Sequence, residues 1–313
     1  MSLCIVGSMA FDDIDTPHGA SGKIIGGAGT YIAWAAANFV KPVNMISVVG
    51  GDFPKEEMNA LNKKGVDLEG VKVIEEGKTF YWSGKYHDDM NTRDTLITEL
   101  NVLDGFNPVV PEDYKQNDYL LLGNLDPRVQ LNVINQMSER PKLIALDTMN
   151  FWMDSAMSQL KETISCVDVL IINDSEARQL SGEQSLLKAA EEIAKMGPQF
   201  QVIKKGEHGA LLFHGEQVFF APALPLEEVF DPTGAGDTFA GGFMGYLAQT
   251  DNTSFENMKV AIIKASVLAS FCVEEFGTQR LREVTDKDIQ IRINSFIDLV
   301  KFDTHFETKE EFN

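Results

Sequence analysis

The chain has 313 residues, 44% hydrophobic and 24% charged, which excludes wholesale disorder and fits one large α/β domain or two ordinary ones. Its 47 acidic and 27 basic residues give a formal charge of −20, and Lys63-Lys64 and Lys204-Lys205 are isolated pairs, so generic binding of nucleic acid is disfavoured. Apolar runs such as 120–122 and 169–172 are too short to cross a bilayer, so no membrane association is expected.

Three cysteines, Cys4, Cys166 and Cys272, are odd in number and lie far apart in apolar stretches, as suits buried thiols in a reducing compartment. The five histidines form no metal-type spacing, and residues 1–9 carry no basic leader, so a cytoplasmic protein is expected.

In chain order, strands are expected at 3–6, 44–49, 119–122, 143–147, 169–173 and 201–204. Several are apolar throughout, as strands buried on both faces of a parallel sheet are. Helical patterns at 29–39, 55–64, 129–139, 155–165 and 185–196 fall between them, with Gly65 and Gly197 as stops. Such alternation predicts an α/β fold with helices on both faces of a mostly parallel sheet. Segments of about 11–25 and 79–106 break the rhythm. They read as one-sided antiparallel strands, with Phe80, Trp82 and Tyr86 on one side and Tyr81 and Lys85 on the other, forming a small β-flap. A hairpin is expected at 210–213 and 218–221, and 301–313 reads as a polar tail on a single domain spanning 1–313.

The most informative stretch runs Asp231-Pro232-Thr233-Gly234-Ala235-Gly236-Asp237, followed by a helical pattern at 238–249. A turn of small residues feeding a helix N-terminus presents bare amides and the positive end of the helix dipole to an anion. A carboxylate in that turn would repel a merely bound phosphate. It makes sense if Asp237 takes a proton from an attacking hydroxyl while the amides of Gly234, Ala235 and Gly236 hold the transferred group. The simpler reading of Asp237 alone is a helix N-cap.

The whole Asp-x-Thr-Gly-Ala-Gly-Asp combination, followed by Gly241-Gly242, resembles the second signature of the ribokinase-like (PfkB-type) sugar and nucleoside kinases. The resemblance covers nearly the whole chain and implies a three-layer αβα sandwich with a β-lid, and ATP and Mg²⁺ as cofactors. Gly7-Ser8-Met9-Ala10-Phe11-Asp12 resembles the opening element whose aspartate holds acceptor hydroxyls, here Asp12, though a solvated turn aspartate at Asp12 or Asp13 is the plainer reading. Gly26-Gly27-Ala28-Gly29 is similar to the substrate loop, which implicates Gly26 and Gly27. Val49-Gly50-Gly51-Asp52 is similar to a structural turn of the family.

Asn173 and Glu176 match an Asn-x-x-Glu element that organises Mg²⁺ largely through water; at the same spacing they would also make a capping box. Lys204, Gly206 and Gly209 lie in the loop over which the family lays ATP, and Ser266 and Gly277 in the helix and loop flanking the adenine. The resemblance also implies a monovalent cation, K⁺, beside Asp231 and Thr233. A P-loop is rejected because Ile24 follows Gly22-Lys23 where Ser or Thr must hold magnesium, and Gly26–Thr30 does not fit a dinucleotide fingerprint.

Ribose-type members carry asparagines where this chain has Ala10 and Tyr31. Tyr31, Trp82, Phe80 and Tyr81 could stack a base or a sugar face, or pack the flap on the body. Asn124 and Asp126 could restore polar contacts to the acceptor, and residues 147–150 sit where open α/β sheets bind ligands. The resemblance therefore implies phosphoryl transfer to a hydroxyl, expected to be an exocyclic CH₂OH, of a sugar or nucleoside, the two left open. The alternative from another class is a non-catalytic nucleotide or sugar sensor on the same fold. Either a monomer or a lid-mediated homodimer would fit.

Overall fold

The computed structural model describes residues 1–301. The chain begins with β1 (Leu3–Val6), leaves the body as the hairpin β2 (Ala10–Thr16) and β3 (Gly19–Gly26), and returns through α1 (Ala28–Ala36) to β4 (Val43–Gly50). Helix α2 (Lys55–Lys64) and two short strands, β5 (Val66–Asp67) and β6 (Val71–Ile74), precede a second excursion, β7 (Phe80–Tyr86) and β8 (Arg93–Glu99). Regular alternation then follows: β9 (Tyr119–Leu122), α3 (Pro127–Gln136), β10 (Leu143–Asp147), α4 (Asn150–Ser155), α5 (Met157–Ile164), β11 (Val169–Asn173), α6 (Asp174–Ser181), α7 (Leu186–Ala194) and β12 (Phe200–Lys204). The hairpin β13 (Ala210–His214) and β14 (Gln217–Ala221) leads to α8 (Ala235–Thr250), α9 (Phe255–Cys272), α10 (Gln279–Glu283) and α11 (Asp286–Val300).

The main sheet runs β14-β13-β12-β11-β10-β9-β1-β4-β5, with β6 also on β4; only β13 is reversed, so its pairings with β12 and β14 are the antiparallel ones. Period-2 alternation splits its side chains between two apolar cores. Leu3, Ile5, Leu121, Ala145 and Ile171 face α1, α8 and α9, whereas Cys4, Val6, Leu122, Leu146 and Ile172 face α3, α5, α6 and α7. Strand β1 has β4 on one side and β9 on the other, so the winding direction reverses there, and clefts of open α/β sheets form at the strand carboxyl ends beside such a reversal. Those ends carry Gly123-Asn124, Asp147, Asn173 and Lys204.

The flap is a four-stranded sheet, β3-β2-β7-β8. Its sidedness matches the sequence pattern: Tyr81 Oη donates to Asp13 Oδ2 (3.1 Å) and Lys85 pairs with Asp15 (3.2 Å) on one face, opposite Trp82 and Tyr86. Its pairing does not. The sequence reads as all antiparallel, but β2 and β7 run parallel in the centre, because the two hairpins leave the body separately and lie side by side. Asp52 anchors the second excursion by accepting from both Thr79 N (2.8 Å) and Thr79 Oγ1 (2.6 Å). Of the tail expected at 301–313, residues 302–313 lie outside the described residues. Among the described residues no helix is long and apolar enough to cross a membrane.

Candidate active site

Three neighbouring parallel strands deliver the polar groups. Because β10, β11 and β12 run in register, Asp147, Asn173 and Lys204 emerge together at their carboxyl ends, where the apolar runs stop. Lys204 Nζ bonds Asp147 Oδ1 at 3.2 Å, and both side chains are largely buried. Burial works against the lysine's charge, but Asp147, Glu176 and Asp237 outweigh it and hold the ammonium above its ordinary pKa. A β-carbon built on Gly236 would stand 3.0 Å from Lys204 Nζ, so the ammonium lies directly against the Gly-rich turn.

That turn enters α8 with Gly234 as N-cap at φ +75°, in the left-handed region, and any β-carbon there would sit 2.4 Å from the Tyr31 ring. Helix α8 begins at Ala235, three residues before the expected 238, because the turn is itself the first helical turn. Asp237 is thus inside that turn and makes no cap hydrogen bond, which removes the N-cap reading. The expected anion hole is narrower than three amides. Ala235 N–H is already given to Pro232 O (3.2 Å), whereas the described backbone hydrogen bonds give no main-chain acceptor to the N–H groups of Gly234 and Gly236. Burial, followed by the Asp147 charge, pushes the Asp237 carboxyl up towards neutrality, with Lys204 and Arg93 opposing.

Asp12 faces the cleft from β2 and is 4% exposed, which removes the reading as a solvated turn residue. Gly26 is required opposite it, since a β-carbon there would fall 1.8 Å from Asp12 Oδ2. Burial and then the Asp231 charge raise the Asp12 carboxyl to about 7, while a hydrogen bond from Gly27 opposes the rise. Gly27 caps α1 without a side chain, and Ser8 substitutes for one: Ser8 Oγ accepts from Ala28 N (3.1 Å) and Ser8 O from Gly29 N (2.8 Å).

Asn173 and Glu176 form the capping box of α6, with Glu176 N donating to Asn173 Oδ1 (2.8 Å) and Asn173 N to Glu176 Oε2 (2.7 Å). This leaves the Asn173 amide nitrogen and Glu176 Oε1 outside the box. Burial raises Glu176 to about 7, against the lowering charge of Lys204. Asp231 is buried and ties two loops, accepting from Thr233 N (2.8 Å) on Oδ1 and from Gly277 N (2.9 Å) on Oδ2. Gly206 and Gly209 follow β12 at positive φ, and Ser266 is buried in α9.

Two acceptor candidates sit differently from expectation. Tyr31 is 1% exposed, with its ring beneath Gly234 and its hydroxyl unpartnered, so it supports the turn and offers no free stacking face. Asn124 accepts from Trp152 Nε1 (2.9 Å) and donates to Met149 Sδ (3.0 Å), which leaves one amide hydrogen for a ligand. Asp126 is the N-cap of α3, accepting from Arg128 N (2.8 Å). Tyr81 lies on the flap face opposite Trp82, half-buried against the apolar core. Sequence reasoning missed the Asp147–Lys204 pair and Arg93; opposite charges ending nearby buried strands were the available signal for the first.

The pfkB family carbohydrate kinase model matches residues 2–284. The cytidine kinase of Thermococcus kodakarensis is 31% identical over 253 residues, covering 79% of this chain and 88% of its own. The nucleoside kinase of Methanothermobacter thermautotrophicus is 27% identical over 273 residues, covering 81% and 80%. Among solved structures, Methanocaldococcus jannaschii nucleoside kinase superposes with a TM-score of 0.75 at 19% identity over 94% of this chain and 98% of its own. Arabidopsis thaliana ribokinase complexed with ribose and ATP gives 0.74 at 21% identity over 93% and 98%. The chain therefore belongs to the pfkB family of carbohydrate kinases, and it is a phosphotransferase with an alcohol group as acceptor.

Proposed function

We propose that the protein transfers the γ-phosphoryl group of ATP to the exocyclic CH₂OH of a nucleoside, with Asp237 as the general base. The observation that carries the reading is Asp237 itself, held in the first turn of α8 beside two uncommitted amides and the Lys204 ammonium. A carboxylate raised towards neutrality by burial accepts a proton at physiological pH far better than an ordinary aspartate. In the reaction, the acceptor O–H proton passes to Asp237, the oxygen bonds to the γ-phosphorus, and the bond to the ADP oxygen breaks. The Gly234 and Gly236 N–H groups and Lys204 offset the charge that spreads over the moving phosphoryl oxygens. Asp12 orients the acceptor, and a sugar diol donating to its carboxylate compensates for the burial of that charge.

Among the described residues no three acidic side chains converge closely enough to enclose an ion by themselves, which suits a magnesium that keeps most of its waters and takes few protein ligands, with Glu176, Asp147 and Asp237 as the nearby negative charges and Lys204 and Arg93 opposing them. Asn173 and Glu176 would hold the ion, largely through water, and it would neutralise developing phosphate charge. Lys204, Gly206, Gly209, Ser266 and Gly277 would line the nucleotide, with Gly206 and Gly209 giving close backbone approach. A monovalent cation such as K⁺ would fit beside Asp231 and Thr233, where, among the described residues, the buried carboxylate accepts from the N–H groups of Thr233 and Gly277.

A nucleoside is favoured over a free sugar by Trp82, which sits beside Asp12 in the β2–β7 register and so shares its face of the flap, where it offers a flat apolar surface. The two nucleoside kinases among the relatives agree with that choice. A coupled ADP-release assay over a panel of nucleosides and free sugars tests it. Turnover with nucleosides at least tenfold more efficient than with ribose is expected. Preference for a free sugar refutes the acceptor. Silence across the panel, with ligand-induced stabilisation intact, makes the protein a sensor.

A further inference from the structure

Strand β8 pairs Arg93 opposite Tyr86 of β7, on the flap face that also carries Trp82. The guanidinium is 5.5 Å from the Trp82 ring, and its Nη1 donates to Tyr86 Oη at 3.3 Å. Tyr86 Oη in turn accepts from Thr233 Oγ1 at 3.2 Å, so a chain of two hydrogen bonds joins the flap to the turn that carries Asp237. The hairpin tip reaches further across the cleft, since a β-carbon on Gly206 of the nucleotide loop would stand 3.0 Å from Asn91 Oδ1. The flap thus lies closed over the site, touching both the anion turn and the nucleotide loop. The Arg93 charge acts on Asp237, Glu176 and Asp12, opposing the rise that burial causes in each carboxyl. Among the described residues the guanidinium's one side-chain hydrogen bond is to Tyr86 Oη, and the residue is solvent-exposed, so its other donors are accessible to a ligand.

We propose that Arg93 is a catalytic residue supplied by the flap, whose guanidinium binds the transferring phosphoryl group, and that the Tyr86–Thr233 hydrogen bond registers it there. The inference rests on the kinase reading above and adds a residue to it. A planar fork with several donors matches equatorial phosphoryl oxygens, and a charge that arrives only with the closed flap strengthens as water leaves. Closure and chemistry are then coupled: an open flap removes a positive charge from the site as well as admitting water.

The test compares wild type, Arg93→Lys, Arg93→Met and Tyr86→Phe, using the best acceptor from the panel. With both substrates saturating, Arg93→Met should lower kcat at least about 100-fold and Arg93→Lys by less, with acceptor KM within about threefold. Tyr86→Phe should lower kcat about fivefold or more. Calorimetry supplies a readout independent of turnover. In the presence of acceptor and magnesium, Arg93→Met should weaken binding of ADP with aluminium fluoride at least about 30-fold and leave ADP alone within about threefold. Melting temperatures within a few degrees of wild type establish that the variants are folded. Retained kcat in Arg93→Met, equal affinity for the fluoride complex, or a loss confined to acceptor KM overturns the proposal. Failure of wild type itself to phosphorylate any acceptor is a different outcome and removes the kinase reading instead.

Discussion

Asp12→Asn should make the unliganded protein more stable, by an amount that grows with pH. Burial raises the Asp12 carboxyl to about 7 in the fold, against 3.8 for an ordinary aspartate. Between those values the folded chain keeps a proton that the unfolded chain has released. The group's contribution to stability is therefore fully present below 3.8 and is lost as pH rises through about 7. That rise corresponds to a penalty on the order of 4 kcal/mol above pH 7, falling to less than half of that at pH 5. The neutral amide escapes that penalty and still accepts from Gly27. Thermal unfolding should show Asp12→Asn higher in Tm by roughly 4–8 °C at pH 8 and by less than half of that at pH 5. Turnover should fall together with this gain, because the acceptor loses its charged partner. A Tm shift of equal size at both pH values, or a variant less stable than wild type at pH 8, would refute the electrostatic account of this residue.

Two further substitutions probe the turn and its support. Gly234→Ala places a β-carbon into the Tyr31 ring at positive φ; a loss of at least about 2 kcal/mol in denaturant unfolding, together with a fall in kcat, is expected. Lys204→Met leaves Asp147 buried without its cation, which should cost about 3–5 kcal/mol at pH 8, and adding Asp147→Asn should restore most of it in a double-mutant cycle.

The buried strands were legible because nothing competes with their signal. Residues 3–6, 119–122, 143–147 and 169–173 are apolar runs ended by glycine or a polar residue, and β1, β9, β10 and β11 occupy those same residues. Helix α2 spans 55–64 as its Gly65 stop predicts, with Gly65 left-handed at the C-cap. Boundaries slipped where capping chemistry overrode periodicity: Asp126 and Pro127 start α3 two residues before the apolar pattern does. The parallel pairing of β2 with β7 could not be read from either strand, because alternation fixes which face a side chain takes and not which neighbour its strand chooses. At the site, the Asp231–Asp237 turn was legible as a pattern. Which amides it leaves open depends on one hydrogen bond, Ala235 N–H to Pro232 O, which no pattern encodes. Arg93 was invisible for a related reason: it is 144 positions before Asp237, and only the folding of the flap across the cleft brings the two within electrostatic reach.

The central claim is that Asp237 removes the acceptor's proton, and single-turnover phosphoryl transfer by Asp237→Asn tests it most directly. The account predicts a rate lower by about 100-fold or more, with the ATP dissociation constant changed less than about threefold, since the amide keeps the shape but cannot take the proton. A rate near that of wild type, or a loss accounted for by weaker ATP binding, would contradict it.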